Sequence, residues 1–513
     1  MKNGKILKKT ASLSKSKLLA FRQCDKRLWL EVHAPELRED SASTEASYVT
    51  GNEVGAIARQ LYDPKGKGQI IDVQAEGFEQ ALAQSAQLLA ANLPVFEAGF
   101  RAGGAHAFAD IMLPLRKAGR VTWRMIEVKS STEVKDYHRD DVAVQAFVAK
   151  AAGIPVDGVA VAHIDKTWTY AGDHNYSGLL VENDLTKEAL SRETEVDTWI
   201  RQALKVANQL KPPKITTGGH CSDPFECGFF EYCRSQEPQA EYPVDWLPQI
   251  RSRALKERVA AAGVIDMRHV DDSLLNAQQR IVKTCTVEQR AHFDAAGAAR
   301  ALAPHTLPVC FLDFETINFA IPRWKGTRPY QQIPFQFSAH WLDRKGKLTH
   351  EAFLDLSGGD PSKAFAEALV CTCGSSGAVF VYAAAFEKSR ISELAIRFPK
   401  FRRDLLKLNE RIVDLLPVAR DYYYHPDQQG SWSIKSVLPA VVPDLNYDQL
   451  QGVQNGGMAM EAYREAINPT TLPERKAQIR AQLLDYCRLD TYAMVRLWQF
   501  FAGRNDLQLF EFA

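Results

Sequence analysis

The sequence predicts a multidomain α/β protein, and three observations lead to that prediction. The chain has 513 residues, which corresponds to roughly two to four domains. Short apolar stretches typical of strands alternate with helical stretches in two regions, residues 1–235 and 306–513. Between them, residues 236–305 have a helical spacing that is broken near Gly263. We therefore expect two α/β domains joined by a helical linker domain.

The composition indicates a globular protein with no general attraction to polyanions. Hydrophobic residues make up 46% of the chain, charged residues make up 24%, and the formal net charge is +1. Nucleic-acid binding would therefore depend on local basic patches. No apolar run approaches the roughly 18 residues that span a bilayer, and the basic N-terminus lacks the continuous apolar core of a signal peptide. We expect a cytoplasmic protein that does not enter a membrane.

Two neighbouring predicted strands of the first α/β region carry ionisable residues. The segment "AHAFADIMLP" places Asp110 on one strand, and "VTWRMIEVKSS" places Glu127 and Lys129 two residues apart on the next. Residues i and i+2 of a strand share a face, so Glu127 and Lys129 project together and Asp110 can join them. Two carboxylates can hold Mg²⁺, and a nearby lysine can stabilise charge on a phosphate. The alternative is a surface salt bridge between Glu127 and Lys129.

Cysteines near the two ends of the same region predict a metal centre. Cys221, Cys227 and Cys233 have five residues between each neighbouring pair, and Cys24 lies far upstream. The chain has nine cysteines, and an odd number in a chain of this length does not suggest a secreted disulfide framework. In a reducing cytoplasm such a group is expected to hold metal rather than to form disulfides. The alternative is a set of unconnected buried thiols.

The strand "VCFLDFETI" opens the second α/β region and carries two acids within an apolar run. Asp313 and Glu315 share one face of this strand. Two like charges side by side in a buried place repel each other and raise a pKa. A divalent cation between the two carboxylates would make the arrangement stable. These two acids therefore predict a cation site.

Further candidate residues follow along the same region. Glu387 lies where "AVFVYAAAFEKSRISEL" changes from strand to helix, and Asp414 ends a short apolar run in "RIVDLLPVAR". In the helical segment "LLDYCRLDTYAMVRLW", Tyr486 and Asp490 are four residues apart and so share one helix face. Taken singly, Tyr486 and Asp490 could be ordinary helix-surface residues and Glu387 an acid favoured by a helix N-terminus.

The order of the acids and the lysine in the first region resembles the PD-(D/E)xK nuclease fold of the RecB and CRISPR-associated exonuclease type. That family continues with a helix that carries a Gln, matched here by Gln145. The opening helix "GNEVGAIARQLY" has Gly55 where the family often has a metal-contacting His, with Glu53 as a substitute, and Ala149 stands where a Tyr often follows. The resemblance implies a catalytic set of Asp110, Glu127, Lys129 and Gln145, with Mg²⁺ or Mn²⁺ held by Asp110 and Glu127.

The cysteines resemble the iron–sulfur staple of the same nuclease family. One N-terminal cysteine and three C-terminal ones bracket the nuclease core. The resemblance implies that Cys24, Cys221, Cys227 and Cys233 bind a [4Fe–4S] cluster that pins the two ends of the domain together. The first gap is longer than the commoner gap of two residues, and Zn²⁺ bound by four cysteines is the alternative.

The acids of the second region resemble the DEDD exonuclease superfamily, which has the RNase H-like fold of DNA polymerase proofreading domains. Asp313 and Glu315 match its "DxE" motif, and "YCRLD" matches the tyrosine subtype of its third motif. In the second motif, Ala383 replaces an Asn and Glu387 replaces an Asp, with Asp414 as the alternative acid. The resemblance implies a two-metal site with the catalytic set Asp313, Glu315, Glu387, Tyr486 and Asp490, in which Asp313, Glu315 and Asp490 are the main ligands.

Two further observations bear on substrate. "GSWSIKSVLP", with Ser433 and Lys435, resembles a "GSxSLK" segment of close relatives of the DEDD module. The segments "KGTRPYQQIPFQFS" and "RDYYYHPDQQGSW" interleave cations and aromatic rings, a combination used to bind single strands. The alternative for each ring is an ordinary place in the core.

As a whole, the chain resembles a bacterial family that fuses an iron–sulfur RecB-like module to a DEDD-type 3′–5′ exonuclease module. The resemblance implies a nuclease that acts on DNA, with RNA as the alternative substrate, in repair, processing or defence against mobile DNA. One alternative is a nucleic-acid-binding or assembly protein in which one nuclease module is degenerate. Another is a redox protein that uses the iron–sulfur cluster. The sequence identifies no protein partner.

Overall fold

The computed structural model describes residues 11–117, 119–249, 255, 259 and 263–507. These residues form a mixed α/β structure that divides into two compact units, so the predicted multidomain α/β class is confirmed. Unit 1 comprises Met1–Pro238 and Phe319–Tyr330, and unit 2 comprises Gln239–Asn318 and Gln331–Ala513. In the part of the chain that is described, no helix is both long and apolar enough to cross a membrane.

Unit 1 begins with a short strand and two helices and then builds a mixed sheet. Its strands are β1 (Leu13–Ser14), β2 (Gln69–Ile70), β3 (Val95–Ala102), β4 (Ala105–Lys117), β5 (Arg120–Lys129), β6 (Val156–Ile164) and β7 (Leu180–Asp184). Its helices are α1 (Lys15–Gln23), α2 (Asp25–His33), α3 (Ala42–Tyr62), α4 (Val73–Glu76), α5 (Phe78–Ala90), α6 (Asp136–Ala151), α7 (Thr186–Ser191), α8 (Glu193–Ala207) and α9 (Phe230–Ser235). The predicted strands of Asp110 and Glu127 are β4 and β5.

The sheet of unit 1 has the order β2-β3-β4-β5-β6-β7, and β1 pairs in parallel with β4. β4 and β5 are antiparallel, whereas β5 and β6 are parallel. Helix α6 packs on the sheet, and the apolar residues between helix and sheet form the main core of the unit. Because α6 covers the strands that carry Asp110 and Glu127, polar side chains on its inner face can reach these acids.

Unit 2 contains the second sheet. Its strands are β8 (His292–Phe293), β9 (Val309–Ile317), β10 (Ile333–Leu342), β11 (Leu348–Leu354), β12 (Ala378–Val381), β13 (Ile412–Asp414) and β14 (Tyr423–Tyr424). Its helices are α10 (Ala277–Glu288), α11 (Ala295–Leu302), α12 (Ser362–Cys373), α13 (Ala385–Arg397), α14 (Arg402–Glu410), α15 (Leu416–Tyr422), α16 (Ile434–Val441), α17 (Gly456–Ala466) and α18 (Pro473–Phe501).

The main sheet of unit 2 has the order β11-β10-β9-β12-β13. The first three strands are antiparallel, and β12 and β13 continue the sheet in parallel with β9. One face of β9 packs Cys310, Leu312 and Phe314 into a core that includes residues of α12 and α13. The opposite face of β9 lies under α18. Coverage on both faces explains why β9 is an almost continuous apolar run.

The segment predicted as a helical linker, 236–305, falls mainly within unit 2. Its described residues include α10, α11, short 3₁₀ turns and β8, which pairs with β14. The middle of the predicted helical stretch, residues 250–254, 256–258 and 260–262, lies outside the described residues, as does most of the basic N-terminal tail.

Candidate metal site, lysine cluster and cysteine pocket

Three carboxylates of unit 2 converge on one point, here called the Asp313 site. Asp313 and Glu315 lie on β9, and Asp490 lies on α18, which packs against β9 and β10. One oxygen of each carboxylate lies within 4.8 Å of the others. Among the described residues, no other group of three or more histidine, cysteine or acidic side chains meets this distance. The structure therefore brings together the three residues predicted as the main metal ligands.

Buried hydrogen bonds between β10 and α18 hold the helix over these acids. Ser338 lies opposite Asp313 in the strand pairing, and its Oγ is 2.7 Å from Thr491 Oγ1 on the helix. Nearer the start of α18, the carbonyl oxygen of Leu483 accepts a hydrogen bond from Gln336 Nε2 at 2.6 Å. Breaking such buried contacts would leave polar groups unpaired, which costs about 1–3 kcal/mol each. They fix the register on which the meeting of strand and helix carboxylates depends.

The electrostatics of the Asp313 site disfavour three negative charges. Burial, together with the Asp490 and Glu315 carboxylates, raises the pKa of Asp313 well above its ordinary value. Burial and the Asp490 carboxylate raise the pKa of Glu315 to about 8. Burial raises the pKa of Asp490 to about 6, although a hydrogen bond from Tyr447 opposes this effect. A divalent cation would remove the cause of these shifts by balancing the like charges.

A tyrosine pair and a lysine border the site. The Tyr447 hydroxyl donates to Asp490 Oδ1 at 2.6 Å. Lys435 Nζ lies 3.4 Å from the Tyr486 hydroxyl oxygen and donates to the carbonyl oxygen of Gln454 at 2.6 Å. Burial and the neighbouring carboxylates raise the pKa of Tyr486, so its hydroxyl keeps its proton. Tyr447 was not predicted from the sequence, because it lies in a 3₁₀ turn and belongs to none of the motifs described above.

Glu387 and Asp414, the two candidates for a fourth acid, have different surroundings. Asp414 accepts hydrogen bonds from three backbone amides, Ala383 N and Ala384 N at 3.0 Å and Leu416 N at 2.9 Å. It thereby holds the turn in which Ala383 has φ of 71°, a left-handed conformation that Asn adopts more readily than Ala. Asp414 is therefore occupied with supporting the backbone before α13.

Glu387 lies on the first turn of α13 and is buried. Its Oε2 has no hydrogen-bond partner among the described residues. Burial and the charge of Asp414 raise the pKa of Glu387 to about 7, and its charge in turn contributes to the raised pKa of Asp313. Glu387 stands outside the 4.8 Å group but within electrostatic reach of it. Of the two candidates, Glu387 has the carboxylate oxygen left unused.

In unit 1, Glu127 and Asp141 contact lysines, in a group here called the Glu127 cluster: Lys15, Glu127, Lys129, Asp141 and Gln145. Lys129 Nζ lies 2.6 Å from Glu127 Oε1 and 2.5 Å from Asp141 Oδ2. Lys15 Nζ lies 3.0 Å from Glu127 Oε1 and 2.9 Å from Asp141 Oδ1. Gln145 Nε2 donates to Glu127 Oε2 at 2.5 Å. The predicted residues Glu127, Lys129 and Gln145 are thus in contact, together with Lys15 and Asp141, which sequence reasoning missed.

Two more acids lie next to the Glu127 cluster. Asp110 Oδ2 accepts a hydrogen bond from the backbone amide of Val128 at 2.7 Å. Burial and the Glu127 charge raise the pKa of Asp110 well above its ordinary value. Glu97, on β3, has φ of 56°, and burial and Glu127 raise its pKa as well. In contrast, the charges of Lys129 and Lys15 outweigh burial at Glu127 and lower its pKa.

The positions where the chain departs from the PD-(D/E)xK pattern do not supply a replacement ligand. Gly55 lies on α3 and brings no side chain. Glu53, the suggested substitute, lies 4.0 Å from Arg323 and its side chain is 40% exposed. Ala149 is buried on α6 in the core of unit 1. Among the described residues, the ion-pair partner of Glu53 is Arg323, which is not part of the Glu127 cluster.

The four predicted cysteine ligands line one pocket, here called the cysteine pocket. Cys24 lies at the junction of α1 and α2, whereas Cys221, Cys227 and Cys233 come from the chain around α9. Gln23 fastens these segments together by donating to the carbonyl oxygens of His220 and Phe225, each at 2.7 Å. The structure therefore brings together Cys24, Cys221, Cys227 and Cys233 as free thiols.

The donor set of this pocket suits a bound metal group. Lys26 and Arg27 also line it and would offset the negative charge of thiolates. Among the described residues, the sulfur atoms provide no group of three that lie within 4.8 Å of one another. Tetrahedral Zn²⁺ with Zn–S bonds of about 2.3 Å requires sulfur atoms about 3.8 Å apart. In a multi-iron cluster the thiolates bind different iron atoms and need not lie so close together.

The aromatic segments predicted to contact nucleic acid lie mainly in the core. Tyr423, Tyr424 and Trp432 are buried, and Trp432 Nε1 donates to the carbonyl oxygen of Tyr423 at 2.8 Å. Phe335 and Phe337 are buried on β10. These five rings are therefore not available for base stacking, whereas Tyr330 and Tyr422 of the same segments are partly exposed, and single-strand binding by these segments stays a prediction.

Comparison with known proteins found one family match. A family model described as a domain of unknown function (DUF2779) matches residues 310–433, and the chain is similar to that family over this segment. The matched segment includes Asp313, Glu315 and Glu387 and ends before Lys435 and Asp490. No curated protein matches the chain.

Proposed function

We propose that this protein is a divalent-metal-dependent nuclease that hydrolyses phosphodiester bonds from the 3′ end of DNA, and that the reaction takes place in unit 2. The observation that carries the proposal is the convergence of Asp313, Glu315 and Asp490, whose carboxylate oxygens lie within 4.8 Å of one another. Mg²⁺ and Mn²⁺ prefer such oxygen ligands. The raised pKa values support the proposal because buried like charges need either bound protons or a cation to balance them, and a divalent cation can take the place of the protons.

The three acids would hold a pair of Mg²⁺ or Mn²⁺ ions, which when bound activate water and stabilise charge on the leaving 3′ oxygen. Tyr486 keeps its phenolic proton and can orient the attacking water by a hydrogen bond. Lys435, 3.4 Å from that hydroxyl, provides a positive charge for the phosphate. Tyr447 holds the Asp490 carboxylate in one orientation through its 2.6 Å hydrogen bond. Glu387 is the proposed fourth acid.

The architecture of unit 2 supports assignment to the RNase H-like, DEDD-type exonucleases. Its sheet has three antiparallel strands continued by two parallel ones, with the acid-bearing strand β9 in the middle. For unit 1, the mixed sheet covered by α6 supports a PD-(D/E)xK-like fold. That resemblance would add a second catalytic site at Asp110, Glu127, Lys129 and Gln145. The contacts of Lys15 with Glu127 argue for a different role of that site.

The cysteine pocket is proposed to bind a [4Fe–4S] cluster with a structural role. Cys24 comes from the beginning of unit 1 and the other three cysteines from near its end, so the cluster would join the two ends of the unit. Such thiols stay reduced in the cytoplasm, which is the proposed location. Iron and sulfide content, and absorbance near 400 nm, should be lost in Cys227→Ser and retained in the control Cys371→Ser, whose cysteine is exposed. Stoichiometric zinc without iron would overturn this part of the proposal.

The nuclease proposal is tested with the purified full chain, MnCl₂ or MgCl₂, and 5′-labelled single-stranded DNA, duplex DNA and RNA. We expect a ladder of progressively shorter labelled products on DNA and no cleavage in EDTA. Asp490→Asn should abolish the ladder. Asp485→Asn is the matched control, because Asp485 lies on the same helix and is exposed. Binding of DNA without cleavage would favour the nucleic-acid-binding alternative, and preferential cleavage of RNA would replace the proposed substrate.

A further inference from the structure

The PD-(D/E)xK resemblance implies a divalent cation at Asp110 and Glu127, but the residues present in unit 1 do not fit one. We propose that the Glu127 cluster holds no divalent cation, and that the Lys15 ammonium permanently fills the position between Glu127 and Asp141. Unit 1 then contains a nuclease-like site that is neutralised from within and does not cut. This inference is independent of the function proposed for unit 2.

The carboxylate oxygens of the cluster are already used by nitrogen donors. Glu127 Oε1 contacts both Lys15 Nζ at 3.0 Å and Lys129 Nζ at 2.6 Å, and Glu127 Oε2 accepts from Gln145 at 2.5 Å. Asp141 Oδ1 contacts Lys15 at 2.9 Å, and Asp141 Oδ2 contacts Lys129 at 2.5 Å. An ammonium group cannot be a metal ligand, since its nitrogen has no lone pair to donate. A cation could bind these oxygens only after Lys15 had left.

The charges of Glu127 and Asp141 also balance without a metal. Two ammonium groups face these two carboxylates, whose side chains are only 3% exposed. The neighbouring Asp110 already uses its Oδ2 to accept a hydrogen bond from the Val128 amide. In a buried place, removing one partner of such an arrangement is destabilising because a charge is left uncompensated. A divalent ion entering beside Lys129 would add repulsion between cations. The PD-(D/E)xK pattern has one lysine beside its acids, which Lys129 matches. Here the second lysine, Lys15, takes the place of the cation.

The fold fixes Lys15 in this position. Lys15 is the first residue of α1 and directly follows β1, whose Leu13 and Ser14 pair with Ala105 and His106 of β4. Ser14 caps the helix by accepting a hydrogen bond from the Lys17 amide. The backbone of Lys15 is therefore anchored to the same strand that carries Asp110. Its ammonium is part of the packed structure of unit 1, not the end of a freely moving tail.

The test measures Mn²⁺ binding to the full chain by electron paramagnetic resonance, with Asp313→Asn and Asp490→Asn together removing the site of unit 2. In this background we expect no bound Mn²⁺ with Lys15 intact. Adding Lys15→Ala should create one Mn²⁺ site, at least tenfold tighter than any binding in the background, and Glu127→Gln should remove it again. Lys17→Ala, on the same helix two residues away, is the matched control and should create no site.

Two outcomes would overturn the proposal. One is a Mn²⁺ ion that binds the background protein with Lys15 intact and is lost on Glu127→Gln. The other is a folded Lys15→Ala protein that gains no site, which would show that Lys15 does not hold the position of the cation. If the Lys15→Ala protein fails to fold, Lys15→Met, which keeps the length of the side chain, is used in its place. The Mn²⁺ measurement on the background protein with Lys15 intact still tests whether the Glu127 cluster holds a cation. Mn²⁺ binding by unit 2 is counted separately in the chain without the Asp313 and Asp490 changes.

Discussion

The Glu127 cluster of unit 1 and the Asp313 site of unit 2 begin from the same local geometry and reach opposite electrostatic states. In each, two ionisable residues sit two apart on a central strand of a mixed sheet, and a helix covers them. On β5 the pair is Glu127 and Lys129, whereas on β9 it is Asp313 and Glu315. The pKa of Glu127 is lowered, and the pKa of Glu315 is raised to about 8.

These opposite pKa shifts show that burial alone does not identify a cation site. Burial raises the pKa of the carboxyl in both places, but Lys129 and Lys15 reverse the shift at Glu127. At Glu315 the nearest strong influence is another carboxylate, Asp490, and the shift remains. Glu315, whose pKa is raised, lacks a positive partner that a metal can supply. Glu127, whose pKa is lowered, already has two such partners in Lys129 and Lys15.

The largest effect that separates the two sites should appear in catalysis. Asp313→Asn removes a ligand charge from unit 2 and should lower the cleavage rate by about 10³-fold or more, as loss of a central catalytic group commonly does. Glu127→Gln should change the rate by less than about threefold, because the Glu127 cluster is inferred to hold no cation. The measurement is the initial rate of 3′-end degradation of labelled DNA in Mn²⁺. Equal losses of cleavage rate in both variants would mean that both sites cut DNA, and would contradict the inference that the Glu127 cluster is inactive.

The next effect concerns the fourth acid of unit 2. Glu387→Gln should lower the cleavage rate by about 10- to 100-fold with little loss of stability, because it removes a charge whose Oε2 has no partner among the described residues. Asp414→Ala should instead lower the free energy of unfolding by about 1–3 kcal/mol, because three backbone amides lose their acceptor. Cleavage rates and urea denaturation of the two variants are compared. A stable but inactive Asp414→Ala protein would mean that Asp414, and not Glu387, is the fourth acid.

The sequence was sufficient for the strands and helices that carry these acids, because their periodicity is local. β9, with Asp313 and Glu315, has the predicted bounds, and Tyr486 and Asp490 lie on a helix as expected. The sequence did not predict Lys15 in contact with Glu127, because that contact joins residues 112 apart and depends on the pairing of β1 with β4. The partnership of Tyr447 with Asp490, across 43 residues, was missed for the same reason.

A smaller effect is expected from the hydrogen bond that orients Asp490. Tyr447→Phe removes the 2.6 Å bond to Asp490 Oδ1. It should lower the cleavage rate by about 5- to 20-fold, or about 1–2 kcal/mol, near the lower end of the roughly 1.5–3 kcal/mol that a hydrogen bond to a charged group contributes. The concentration of Mn²⁺ needed for half-maximal rate should rise. Tyr424→Phe is the matched control, because its hydroxyl lies 3.1 Å from Thr286 Oγ1 and has no contact with the Asp313 site. A higher Mn²⁺ requirement in Tyr424→Phe as well would point to a general loss of packing.

The smallest effect is a pH dependence of stability in the protein without metal. An unfolded glutamate releases its proton near pH 4.3, whereas folded Glu315 holds its proton up to a pKa of about 8. Between these values the folded state binds more protons than the unfolded state, so the free energy of unfolding falls as the pH rises. In EDTA, the melting temperature should therefore drop by a few degrees between pH 6 and pH 8, at about 2–4 °C per kcal/mol.

Glu315→Gln should flatten this pH dependence, whereas the control Glu367→Gln, at an exposed position on α12, should not. Because Mn²⁺ competes with protons for the same oxygens, its stabilising effect should grow over the same pH range. The Glu127 cluster should add no Mn²⁺-dependent stabilisation at any pH, because its carboxylates are paired with lysines. A Mn²⁺-dependent rise in melting temperature that persists in the Asp313→Asn, Asp490→Asn background and disappears with Glu127→Gln would therefore contradict the contrast between the two sites.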